Sequence, residues 1–253
     1  MSYLWATQQV INLYSKLKFE LFPIRNLILK FNFFPEKGGN LATVISQKLM
    51  SENICRPKLQ VLVYPLLQFF DFTLPSYRLN LPKRILGNIH HENFINFLHY
   101  LTGLQVDSSV FANGHTTGKQ KELFSEYVNV NLLPAKFRNH NLESINLSND
   151  TEEKFTKLTE IILDKDLSPL LVSDEFLKQN TPANTLLITA EMDVLRDDGF
   201  IYAERLNKQG NCFCYSSSKH FKYILIIKLN FFEKKVLIFS INIMKTCFME
   251  CST

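Results

Sequence analysis

Two short apolar runs, Leu59-Gln-Val-Leu-Val-Tyr64 closed by Pro65 and Thr185-Leu-Leu-Ile-Thr189, lie far apart in the chain. Runs this short, rich in Leu, Val and Ile and without polar alternation, read as strands buried on both faces. Such strands need parallel neighbours and helices above and below. The helical patterns fall where that arrangement needs them. After Gly39-Asn40, the residues Leu41, Val44, Ile45 and Leu49 share one face, in a helix ending near Asn53 and Pro57. His91 to Leu101 reads as a second helix. A third starts near Asp150, with Phe155, Leu158, Ile161 and Ile162 in phase. A fourth runs from Asp197 or Asp198, burying Phe200, Ile201, Ala203 and Leu206 and capped by Gly210. Strands alternating with helices predict an α/β fold with a mostly parallel sheet, and any chemistry belongs at the carboxyl ends of its strands.

Composition narrows the function classes. With 46% hydrophobic and 21% charged residues, the 253-residue chain is an ordinary globular one, neither disordered nor fibrous. A net charge of +4 gives no case for a nucleic-acid partner. Cys55, Cys212, Cys214, Cys247 and Cys251 are odd in number and read as thiols. The most apolar windows near the ends, 21–34 and 223–244, are broken by Arg25, Lys30, Lys228, Glu233, Lys234 and Lys235. Neither reads as a membrane span, and the start has no signal-peptide pattern, so no anchor is expected in this chain.

The two ends share a bias that the middle lacks. Phe, Ile, Lys, Leu, Asn and Tyr supply 22 of the first 35 residues and 26 of the last 43. All six can be encoded by A and T alone, which suits translated non-coding sequence or ordinary exons of an AT-rich genome; the first is preferred because the middle lacks the bias. The expected division is therefore a segment 1–35, a domain 36–210 and a tail 211–253, with a helical insertion over about 69–166.

The informative strand end is Ala190-Glu-Met-Asp193-Val-Leu-Arg196-Asp197-Asp198-Gly199. Asp197 and Asp198 are accounted for as residues that cap a helix start and complement its dipole. Asp193 precedes that cap, at the exposed strand terminus, where an α/β-hydrolase places the acid that orients its histidine. Other patterns carry less. Lys37-Gly38-Gly39 has the wrong order for a phosphate loop. Cys212, Cys214, His220, Cys247 and Cys251 lack the spacing of zinc ligands, and His90-His91 reads as a polar helix start. No metal or cofactor is expected.

Residues 38 to about 210 resemble the arylacetamide deacetylase family, in the hormone-sensitive-lipase branch of the α/β-hydrolases. The matching stretches are Gly38 to Ala42, Val63 to Gln68 with Leu74 to Tyr77, Asn131 to Phe137, Ser168 to Leu171, and Met192 to Gly199. They stand in the family's order over about two-thirds of the chain. The resemblance implies the later, C-terminal part of the α/β-hydrolase fold, with 69–166 as part of its lipase-type cap. It also implies an ester or amide hydrolase acting on lipid-like or aryl ester substrates, without a metal, anchored to the endoplasmic-reticulum membrane.

Carried over position by position, the catalytic parts do not match. The family's nucleophile elbow, G-D-S-A-G-G-N, falls on Phe34-Pro35-Glu36-Lys37-Gly38-Gly39-Asn40, so Glu36 stands in place of the serine. Attack by a glutamate would form an anhydride and need no histidine base, so loss of function is the reading preferred. The family's histidine falls on Tyr223, with His220 three residues early and out of context. No H-G-G-G-type oxyanion loop precedes the elbow, and His115-Thr-Thr-Gly118 lies too far downstream to serve. Of the triad only the acid position, Asp193, is retained. Two functions from different classes follow. One is an inactive, incomplete relative of a carboxylesterase or deacetylase. The other is a non-catalytic protein that binds a partner or hydrophobic ligand through core surface left uncovered, with poor solubility as a consequence.

Overall fold

The two apolar runs become neighbouring strands. In the computed structural model, which describes residues 28–29, 35–57, 59–82, 91–138, 142, 155–182, 185–209, 213–217 and 223–228, strand β2 (Leu59–Val63) pairs in parallel with β3 (Thr185–Ala190). Val61 faces Leu186 and Val63 faces Ile188 across the pair. A two-residue strand β1 (Ile28–Leu29) adds in parallel on the other side of β2.

Beyond β3 the sheet departs from the parallel expectation. Strands β4 (Phe213–Ser217) and β5 (Tyr223–Lys228) form an antiparallel hairpin, and β5, not β4, lies against β3, also antiparallel. The order across the sheet is β1-β2-β3-β5-β4. The link from β4 to β5 is too short for the crossover that a parallel pair requires, so the chain can only fold back on itself. As a result β4 runs in the direction of β3 but is held one strand away from it. Both β1 and the hairpin come from outside residues 36–210.

Helix α1 (Pro35–Ser51) starts before the expected point after Gly39-Asn40. Proline suits a first helical position, because its φ is already helical and its missing N–H has no partner to lose there. Gly38, Gly39 and Asn40 are therefore inside the helix. Gly39 has a packing reason to be glycine: a Cβ there would lie 2.7 Å from both Cα and Cβ of Pro65, at the exit of β2. Asn40 continues the same seam, its Nδ2 donating to the carbonyls of Leu66 and Leu167 at 2.8 and 2.9 Å. The far end of α1 buries Ile45 and Leu49 and closes at Asn53, whose φ of 55° is left-handed as a helix stop requires.

Within the segment read as an insertion are α2 (Pro75–Asn80), α3 (His91–Thr102), α4 (Gly118–Leu123) and α5 (Thr156–Ile162). Helix α5 begins at Thr156, and Asp150 lies outside the described residues. Phe155, Leu158 and Ile162 are buried as the periodicity predicts. The insertion shares one core with the sheet. Phe72 packs edge-on against Phe94 at 5.1 Å, and Phe111, Tyr77 and His115 complete the cluster. Phe94 is thus a core residue.

Helices α6 (Asp174–Asn180) and α7 (Arg196–Asn207) complete the flanks. Arg205 of α7 is fully buried and holds three chain segments together. It donates to the carbonyls of Leu170 and Val172 and to Asp174 Oδ1, and its guanidinium stacks 4.8 Å over the Tyr127 ring. Gly210, expected to cap α7, lies outside the described residues; the helix ends at Asn207 with Lys208 still right-handed. Among the described residues no helix is long and apolar enough to cross a membrane.

Candidate functional site

Because β1, β2 and β3 run in one direction, their carboxyl ends share an edge. Three sequence positions of interest meet there. The first turn of α1, which carries Glu36, follows β1, and Gly39 in the next turn packs on Pro65 just past β2. Asp193 follows β3. Tyr223, the first residue of β5, pairs with Ala190, the last of β3. The topology therefore brings the backbones of Glu36, Asp193 and Tyr223 to one edge. The side chains of Glu36 and Tyr223, and the whole of His220, lie outside the described residues, as do the side chains of Cys212, Cys214, Cys247 and Cys251. Among the described residues no cluster of His, Cys, Asp or Glu is arranged to hold a metal ion.

Asp193 sits in a tight turn and is 8% exposed. Its Oδ2 accepts from Thr189 Oγ1 at 3.1 Å and its Oδ1 from the Leu195 amide at 3.1 Å. Both carboxylate oxygens thus have a donor within the strand end and turn that carry them. The backbone is held from outside: Asn80 Nδ2 donates to the Asp193 carbonyl at 3.1 Å, and Ser76 Oγ to the Val194 carbonyl at 2.7 Å. Helix α2 is therefore the clamp on the acid turn.

Asp197 and Asp198 correct the sequence expectation. The residue before α7 is Leu195, and it makes no side-chain cap. Both acids are fully buried and reach across to the loop after β2. Asp197 Oδ2 accepts the Ser76 amide at 2.7 Å, while its Oδ1 pairs with Arg196, Nε and Nη2 both at 2.8 Å. Asp198 Oδ2 accepts the Leu67 amide at 2.9 Å and the Tyr77 hydroxyl at 3.1 Å; Oδ1 accepts Gln68 Nε2 at 3.0 Å. Burial pushes the Asp197 carboxyl up, against the pull of Arg196, and pushes Asp198 up to about 7. The Tyr77 hydroxyl is raised well above its usual range by burial and by the neighbouring Asp198. The physical reason for the correction is helix geometry. Successive residues point about 100° apart, so two adjacent acids followed by buried Gly199, Phe200 and Ile201 leave no single exposed face for both.

The loop these acids hold is tied at nearly every step. Gln68 Oε1 accepts the amides of Phe70 and Asp71 at 2.6 and 2.7 Å, Asn113 Oδ1 accepts Phe72 N at 2.9 Å, and Ser168 Oγ accepts Phe69 N at 3.1 Å. Tyr64, where the loop leaves β2, has a φ of 47°, a strained conformation for a bulky side chain. His115, set aside at the sequence level, is fully buried and donates from Nε2 to the Phe69 carbonyl at 3.0 Å, while Nδ1 has no hydrogen-bond partner among the described residues. Burial lowers its pKa to about 4. Gln68 falls in a family-matching stretch and His115 in a motif set aside, but nothing in the sequence shows that these two and Asn113 hold this loop.

Parallel strands with crossover helices, an acid turn at a strand's carboxyl end and an insertion after the preceding strand define a partial α/β-hydrolase fold. No protein-family profile matches the chain. It is similar to arylacetamide deacetylase of Bos taurus, 37% identical over 176 residues that cover 68% of this chain and 43% of the relative. It is also 31% identical to arylacetamide deacetylase of Oryctolagus cuniculus over 215 residues, 80% of this chain and 52% of that protein. Neutral cholesterol ester hydrolase 1 of Bos taurus is 31% identical over 179 residues, 68% of this chain and 42% of the relative. Among solved structures, a carboxyl esterase from the fungus Tuber melanosporum aligns with a TM-score of 0.43 and 19% identity, over 81% of this chain and 46% of that one. The chain belongs to the arylacetamide deacetylase family, and it spans about half the length of the relatives it matches.

Proposed function

We propose that this chain is a non-hydrolysing member of a carboxylic-ester and amide hydrolase family, a pseudoenzyme on an esterase scaffold. Acyl transfer needs an attacking oxygen, a base to take its proton and an acid to orient that base. The observation that carries the reading is the content of the carboxyl edge. The acid position, Asp193, is present and clamped by α2, whereas Glu36 occupies the first turn of α1 where the family places serine. Tyr223, where the family places histidine, has no basic nitrogen. Among the described residues, Asp193 accepts from Thr189 Oγ1 and the Leu195 amide of its own strand end and turn. The names of the relatives point to aryl amides and cholesterol esters, so lipid-like or aryl esters are the substrate class from which this site descends.

The test is hydrolysis of a short p-nitrophenyl ester by the purified chain, paired with fluorophosphonate labelling. No turnover and no covalent adduct are expected. Turnover that Asp193→Asn abolishes while the fold is retained, or a phosphonate bound to any side chain, overturns the proposal.

A further inference from the structure

The two faces of the sheet are covered unequally. Gln60, Leu62, Thr185, Leu187 and Thr189 alternate onto one face, and all are buried. Helices α1 and α7 lie over that face. Gln60 Nε2 donates to the Ala42 carbonyl at 3.4 Å and to Ser46 Oγ at 3.2 Å, both on α1. A Cβ at Gly199 of α7 would lie 3.0 Å from Leu187 Cδ2 and 3.8 Å from Thr189 Cβ. The main helix contacts of β2 and β3 are with these two helices. Val61, Val63 and Ile188 alternate onto the opposite face and are half-buried.

We propose that this second face is the docking site of the chain's own segment 6–21, laid across it as an amphipathic helix. The segment lies outside the described residues, and its sequence carries the pattern. Ala6, Val10, Leu13, Leu17 and Leu21 recur at steps of three and four, with Tyr14 beside them. Gln8, Asn12, Ser15 and Lys16 stand opposite, while Ile11 and Phe19 fall off the stripe. Pro23 closes the pattern, because the residue before a proline is driven out of helical geometry.

Position and size both select this occupant. The segment runs into β1, where Ile28 pairs with Leu59 at the start of β2, so it reaches the sheet at the strands' amino ends. A helix antiparallel to the strands finishes there. Residues 22–27 can reach about 20 Å, enough to cross the roughly 10 Å between packed layers. The other face over β2 is taken by α1. Five strands about 4.8 Å apart and no longer than six residues present a face of about 400 Å². Each partner of a stable dimer buries about 800 Å², so the face is too small for a second copy. It suits one helix, which over residues 6–21 would be about 24 Å long.

The test is photo-crosslinking in the full chain. Photoreactive benzoylphenylalanine in place of Leu13 is expected to form adducts within the same molecule, on 59–63 or 185–190. The same probe in place of Asn12, on the polar side, is expected to lose them. No adduct, adducts elsewhere, equal yields from both positions or adducts that join two chains overturn the proposal. Should the probe-bearing chain fail to fold, hydrogen exchange of the unaltered chain decides the matter. The amides of 10–17 are expected to exchange at least about tenfold more slowly than in the free peptide 1–22, since a helix this short is marginal in water unless docked. Val63→Lys, which sets a charge on the face, is expected to abolish that difference. Equal rates in chain and peptide, or protection that survives Val63→Lys, overturn the docking.

Discussion

The Leu67 amide donates to Asp198 Oδ2 over 2.9 Å, bridging residues 131 positions apart in sequence. The bond joins the exit of β2 to the first turn of α7, the two segments that flank the acid turn. Its neighbour in the same joint is Gln68, which both accepts from the Phe70 and Asp71 amides and donates to Asp198 and to the Asp71 carbonyl. The acid turn therefore inherits its position from a loop whose backbone groups are satisfied by side chains.

Gln68→Ala leaves two amides, the Asp71 carbonyl and one carboxylate oxygen without this partner in a buried site. The expected loss is about 3 kcal/mol in urea unfolding at pH 7, since each orphaned group costs about 1–3 kcal/mol and the loop relaxes in part. Gln68→Glu keeps the acceptor for the two amides but sets a second carboxylate against Asp198. Its defect should be smaller at pH 5, where that pair can share a proton, than at pH 8.

His115 makes the fold sensitive to acid. The native imidazole is neutral, with a pKa of about 4, whereas the unfolded one titrates near its ordinary value of 6.5. The unfolded chain therefore binds the proton first. The stability that neutral His115 contributes is full above about 6.5 and is lost as pH falls towards 4, by about 3 kcal/mol. In His115→Gln, an amide nitrogen can still reach the Phe69 carbonyl but nothing titrates. Thermal melts of the variant should show a flatter pH dependence between 4 and 6.5; an unchanged profile would place the acid sensitivity elsewhere.

Two glycines should respond oppositely to alanine. Gly39→Ala drives a methyl to 2.7 Å from Cα and Cβ of Pro65, both parts of a rigid ring that cannot rotate away. The helix must shift from β2, and a loss of about 1–3 kcal/mol is expected despite alanine's better helix propensity. Gly118→Ala, at the start of α4, meets no atom within 4 Å and should be neutral or stabilise by a few tenths of a kcal/mol. Paired chemical denaturation of the two variants checks both signs.

The strands and helix faces were legible because burial imposes a period. Leu59–Val63 and Thr185–Ala190 are strands where the apolar runs predict them, and Leu158, Ile162, Ile201 and Leu206 are buried as their spacing requires. One of the matching stretches has a packing reason of its own: a side chain at Gly39 would collide with Pro65. What did not show was direction and partnership across long separations. That β4 and β5 run antiparallel depends on a short link, and no pattern within the strands shows that β5 rather than β4 lies against β3. Asp197 and Asp198 look like helix caps locally, and only the three-dimensional approach of Leu67, Ser76 and Tyr77 reveals them as buried acceptors. At the candidate site, the place of Asp193 at a strand's carboxyl end could be read from the sequence, but the hold of Ser76 and Asn80 on its turn could not.

Asp193 itself separates a structural acid from a catalytic one. In a working triad the acid's value lies in its charge, which holds an imidazolium, so the amide replacement is ruinous to activity though gentle to the fold. Here both oxygens accept from donors beside them, Thr189 Oγ1 and the Leu195 amide. Asp193→Asn keeps the acceptor for Leu195, and Thr189 can turn its hydroxyl to accept from the new amide, so the cost should stay below about 1 kcal/mol. Asp193→Ala removes both acceptors from a nearly buried turn and should cost about 1–3 kcal/mol. Urea unfolding of the two variants measures the difference between them. Near equality, with both strongly destabilised, would mean that the charge of Asp193 itself supports the turn and that a cationic or strongly donating partner faces it.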